Sequence, residues 1–107
     1  MAFRNAGAAI GTSLTDLYTV PASKEAVVHS LYISNTDPVN TITVDIQVSL
    51  VLEADGDKYL AKNVTVPAGT SLIFDKPINL QATDILKVKA SAATCEAFAS
   101  ILLTAAS

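Results

Sequence analysis

Few side chains in this 107-residue chain could take part in catalysis or hold a metal. His29 is the only histidine, so a multi-histidine metal site is impossible and any Ser-His-Asp or Cys-His arrangement would have to use it. It lies inside an apolar run, where a half-buried structural role is expected. Cys95 is the only cysteine: it excludes an internal disulfide, fits synthesis in a reducing cytosol, and reads as a buried, inert thiol without a CxxC partner. Glu53, Asp55 and Asp57 cluster in a turn, and oxygen-rich turns can hold Ca²⁺. They fall short of a twelve-residue calcium loop with its closing Glu, so a solvated hairpin tip is expected instead. The 4 glycines form neither GxGxxG nor GxxxxGK spacing. No carboxylate pair can be assigned to glycoside chemistry from sequence separation alone. Asn63-Val64-Thr65 is a formal glycosylation sequon, which matters only behind a secretory signal. No catalytic residue, cofactor or metal is therefore assigned.

The elements that would position such residues are strands. From Thr41 to Leu52 the even positions are Ile42, Val44, Ile46, Val48, Leu50 and Leu52, while Thr43, Asp45, Gln47 and Ser49 fall on odd ones. Alternation of period two is the mark of a half-buried strand, here about 37 Å long if it runs unbroken. Its six even aliphatic residues are expected to form the spine of a core. Before it, Asp16–Val20 and Glu25–Asn35 read as strands, the second with Val27, His29, Leu31 and Ile33 on one face. After it, Asp55-Gly56-Asp57 supplies the strongest hairpin signal, because Asp-Gly readily takes positive φ. Tyr59–Val66, Ser71–Phe74, Ile78–Leu80 and Asp84–Ala90 follow. The last strand, Glu96–Leu103, is apolar on both faces and so needs a second covering layer beyond the core. Thr19-Val20-Pro21-Ala22 recurs as Thr65-Val66-Pro67-Ala68, either as two related halves or as one turn chemistry used twice. Residues 1–14, rich in Ala, Gly, Ser and Thr, read as an N-terminal arm, disordered alone or ordered on a neighbouring subunit. The expectation is an all-β chain: an antiparallel β-sandwich or jelly roll of about eight strands over residues 15–107, preceded by that arm.

Composition narrows the function. Hydrophobic residues make up 50% of the chain and charged residues only 16%, against roughly 25% in a typical soluble domain. A chain so poor in charge suits a protein packed against copies of itself or against something larger. Seven Lys and Arg, dispersed and outnumbered by 10 Asp and Glu, give no electrostatic support to nucleic-acid binding. No apolar run approaches the ~20 residues of a membrane span, and the amino terminus does not read as a signal peptide. Aromatic residues are 6% and tryptophan is absent, which disfavours a sugar-stacking module. Such a receptor-recognition module is nonetheless the alternative of a different class. Under the assembly reading, Phe3, Phe98 and Leu102, with Tyr32 next, are the expected intersubunit contacts.

Leu17-Tyr18-Thr19-Val20-Pro21-Ala22-Ser23-Lys24, followed by Leu31-Tyr32-Ile33-Ser34-Asn35-Thr36, resembles a pattern in small virion proteins of tailed bacteriophages. There a "YTVPAGK" turn precedes an aliphatic strand ending in "I-x-N-T". Val66-Pro67-Ala68-Gly69-Thr70-Ser71-Leu72 is similar to the family's "VPAGSSL" turn, and Leu86-Lys87-Val88-Lys89-Ala90-Ser91-Ala92 to its "LKVQASA" strand. Ser23 departs from the usual glycine, which questions positive φ at that turn, whereas Gly69 keeps it. The resemblance, over most of residues 16–103, implies a β-sandwich present in repeated copies on the particle. It would serve as a capsid cement or decoration protein, a neck or collar component, or the base of a tail fibre. It implies a homo-oligomer made in the host bacterial cytoplasm, with the major capsid or neck proteins as further partners.

Overall fold

The computed structural model describes residues 1–106, which form nine strands and no helix. They are β1 (Ala2–Ile10), β2 (Thr15–Thr19), β3 (Lys24–Asn35), β4 (Ile42–Leu50), β5 (Gly56–Val66), β6 (Ser71–Phe74), β7 (Ile78–Leu80), β8 (Ile85–Ala90) and β9 (Cys95–Ala105). Two antiparallel sheets result, one ordered β1-β9-β3-β6 with β7 also on β3, the other β2-β8-β4-β5. The fold is an all-β sandwich, as the alternating patterns require. Val28, Leu31, Ile33 and Ile101 from the first sheet and Ile42, Ile46, Leu86 and Val88 from the second are buried between them. Fully burying each such side chain contributes about 1.5–3 kcal/mol.

The repeated Thr-Val-Pro-Ala segments do the same work twice. Each follows an edge strand of the second sheet, β2 or β5, and leads the chain into the first sheet, as β3 or β6. Val20 and Val66 are both buried. The turns close through Lys24 N–H donating to the Pro21 carbonyl and Thr70 N–H to that of Pro67, each at 3.2 Å. Ser23 and Gly69 take φ of 65° and 68°, so the serine turn uses positive φ although it lacks the glycine.

Several expectations are corrected. Strand β4 stops at Leu50, and Leu52 is 56% exposed rather than in the core. The cause is Asp84, whose buried carboxylate accepts the amides of Val51 (3.0 Å), Leu52 (3.4 Å) and Gln81 (3.0 Å) and so bends the chain early. The hairpin turns over residues 51–55 with Ala54 at φ 57°, and Gly56 already pairs with Leu50 at the start of β5. In β3 a bulge between Val28 and Ser30 inserts His29 as an extra residue. The phase shifts there, Val28 rather than Val27 enters the core, and His29 is exposed rather than half-buried. On the outer side of β4, Asp45 and Ser49 are buried instead of wet. Strand β5 bulges over Asp45 so that the Asn63 amide, at φ 52°, donates to its carboxylate at 2.7 Å, and the Ser49 hydroxyl donates to Asp57.

Residues 1–14 contain β1, which lies antiparallel along β9 of its own chain from Ala2↔Leu103 to Ile10↔Cys95. Its inward residues are Ala6, Ala8 and Ile10, of which only Ile10 is fully buried. Backbone pairing to β9, more than side-chain burial, holds it.

Candidate assembly face

The side chains singled out for chemistry are scattered. His29 sits exposed in the β3 bulge. Cys95 is buried at the start of β9, and burial, with the adjacent Glu96 carboxylate, pushes its thiol up to about 11. Such a thiol is protonated and unreactive at neutral pH. The acidic turn does not converge: Asp57 is engaged by Ser49 and Lys87 (3.9 Å), and Glu53 accepts from Gln81 Nε2 at 3.4 Å. Among the described residues no group of three His, Cys, Asp or Glu side chains is placed to hold a metal.

The four residues expected at an interface, by contrast, share one surface. Inward residues of β9 alternate with Glu96, Phe98, Ser100, Leu102 and Thr104 on its outer side. The ladders set Phe3 opposite Leu102, and Leu102 opposite Val27. Two rows further along, past Asn5, Ser100 and Ser30, they set Gly7 opposite Phe98, Phe98 opposite Tyr32, and Tyr32 opposite Ile73. Phe3, Tyr32, Phe98 and Leu102 thus lie in two transverse rows on the outside of the first sheet. Phe3 is 79% exposed, Ile73 52%, Phe98 43% and Tyr32 40%. With aromatic side chains presenting roughly 150–250 Å² each, the three aromatic residues alone expose on the order of 300 Å², within the range of the largest patch on an ordinary monomer.

Val27, Gly7 and Ile73 complete the rows and escaped sequence reasoning. The β3 bulge hid Val27, and the composition of β1 gave no alternation that would put Gly7 on the same side as Phe3. Beside Phe98 the glycine leaves a recess of about 410 Å³, lined also by Ala8, Ala9, Tyr32, Ser34 and Glu96. On β3 and β9 the charged residues of this side are Glu25 at one end and Glu96 at the other.

At the end of the sandwich that bears the β3–β4 loop, Asn35 is a buried polar tie. Its Nδ2 donates to the carbonyls of Asn40 (2.9 Å) and Val66 (3.0 Å), and its Oδ1 accepts the Asp37 amide (3.0 Å) and the Thr94 hydroxyl (3.4 Å). Next to it the amides of Val39 and Asn40 donate to the Asp37 carboxylate and hold its carboxyl below the usual range.

No protein-family model matches the sequence, and no curated protein does. Among solved structures, a chain of the T13 IBDV viral particle matches 95% of this chain at 12% identity with a TM-score of 0.57. A chain of infectious bursal disease virus, Gx strain, matches 95% of it at 13% identity with a TM-score of 0.56. A pentameric capsid protein isolated from metagenomic phage sequences matches 92% at 19% identity, over 59% of its own length, with a TM-score of 0.47. The present chain spans 30% and 29% of the two virus-particle chains. At these identities the likeness to those two chains is one of fold: this chain has a β-sandwich of the kind found within them.

Proposed function

We propose that this protein is a non-enzymatic structural subunit of a virion, and specifically a cement or decoration protein on the outside of a tailed-phage capsid. The observation that carries the reading is the outer face of the first sheet, where Phe3, Leu102, Tyr32 and Phe98 form registered apolar rows on an otherwise complete sandwich. A sandwich whose core is already filled gains little internally from these residues. Burying them between subunits contributes about 25 cal/mol per Å², a gain that a shell repeats at every equivalent position. The sandwich fold shared with chains of a viral particle supports the same reading, as does the sequence resemblance to small phage virion proteins. Within it, Phe3, Tyr32, Phe98 and Leu102 are subunit contacts. The test is the protein content of gradient-banded particles from the phage that encodes the chain, measured by quantitative mass spectrometry. A fixed high copy ratio to the major shell protein is expected; its absence from the band overturns the proposal.

A further inference from the structure

The two apolar rows of the outer face are unlike, and their differences match strand by strand. On β1 one row has Phe3 and the other Gly7; on β9, Leu102 and Phe98; on β3, Val27 and Tyr32. On the far side the strands that flank β3 offer Asn79 in the first row and Ile73 in the second. Each large residue is thus answered by a smaller one two positions beyond the central row. That central row, Asn5, Ser100 and Ser30, is polar throughout, and the exposed His29 of the β3 bulge stands beside Ser30 on the same side.

We infer that this face docks against the same face of a second copy of the chain, about a twofold axis running across the strands over Asn5, Ser100 and Ser30. Half a turn about that axis exchanges the rows and leaves every strand above its own counterpart. Phe3, the most exposed aromatic residue, then enters the recess beside Gly7 of the other copy, and does so twice. Leu102 meets Phe98 and Val27 meets Tyr32 across the interface, while Asn5, Ser100 and Ser30, with His29 beside them, meet their own counterparts at the axis. The end charges also fit, since Glu96 comes over Thr104 and Glu25 over Ser34, so no carboxylate faces a carboxylate directly. A face of five rows and four strands measures about 27 Å by 19 Å, on the order of 500 Å² per copy and 1,000 Å² for the pair, the lower bound of a specific interface. Two sheets facing at about 10 Å are the ordinary geometry of sandwich layers. The contact is isologous, so it closes at two copies.

The inference rests on the reading of this face as an assembly surface, and it fails separately from the virion role. Sedimentation equilibrium of the purified full chain is expected to show monomer passing to dimer as concentration rises, with Phe3→Ala weakening the dimer at least tenfold. A short bismaleimide cross-linker is expected to capture Ser100→Cys as a dimer, since that residue meets itself at the axis. Gly7→Cys alone, displaced about 14 Å along the strand from its counterpart, is not captured, but the double variant Phe3→Cys, Gly7→Cys is, at a protein concentration raised to offset the loss of Phe3. Cys95 is buried and serves as an internal unlabelled thiol. A monomer at all concentrations, a trimer or larger ring, or Gly7→Cys cross-linking as readily as Ser100→Cys overturns the inference. A dimer that is absent from particles overturns only the virion role; a monomer present in particles overturns only the twofold contact.

Discussion

Phe98 on β9 stands opposite Tyr32 on β3, their ring centroids 6.3 Å apart and their planes inclined by 51°. The pair lies outside the core, so its loss affects association more than folding. Phe98→Ser is expected to lower unfolding free energy by only about 1 kcal/mol, the scale of one aromatic pair, while sharply weakening self-association. Urea unfolding and sedimentation equilibrium on the same samples separate the two effects. A large loss of stability with unchanged association would place Phe98 in the wrong role.

Asn35 ties three connections together through donors and acceptors that water does not reach. Truncation to Ala strands the Val66 carbonyl inside the protein, and one buried polar group left unpaired costs about 1–3 kcal/mol. Asn35→Ala is therefore expected to shift the urea midpoint by that amount, with faster amide exchange at Asp37, which loses its acceptor. A variant as stable as the wild type would mean that solvent replaces the side chain.

Ser23 and Gly69 occupy equivalent positive-φ positions in the repeated turn. A residue with a Cβ is strained there and glycine is not. Ser23→Gly is expected to raise stability by about 0.5 kcal/mol and Gly69→Ala to lower it by about 1 kcal/mol. Neither change meets a packing obstacle, since a Cβ on Gly69 finds no atom within 4 Å. Chemical denaturation of the two variants checks the opposite signs.

The Cys95 thiol is raised from its ordinary 9.0 to about 11, chiefly by burial. The folded state therefore holds the proton more tightly than the unfolded chain does. The resulting stabilisation is complete below pH 9 and declines as pH rises towards 11, because unfolding then releases a proton. The informative quantity is the difference from Cys95→Ala, which isolates the contribution of this thiol. The wild-type urea midpoint is expected to fall relative to the variant between pH 9 and 11; parallel curves would contradict it.

The sandwich was legible in the period-two runs, above all in Ile42–Leu50, and in the turn chemistry of the repeated Val-Pro-Ala segments. What escaped sequence reading depends on contacts between distant residues. The end of β4 is set by Asp84, more than thirty residues away. The face of β3 is set by a bulge that no local pattern announces. Strand β1 is hidden by its own composition, since the small residues Ala6-Gly7-Ala8-Ala9 carry no hydrophobic period. Phe98 and Leu102 stood out in the sequence because bulky apolar side chains on the second face of an already apolar strand have few other uses. The grouping of the contact residues into rows was not legible, because it follows from the register of four strands.

The most direct test of the proposed role is electron cryomicroscopy of intact phage particles whose genome carries this sequence. The expected result is density for the nine-stranded sandwich repeated at every equivalent position on the outside of the shell. Density confined to the neck, a tail fibre or a single vertex, or no such density, would contradict the decoration role.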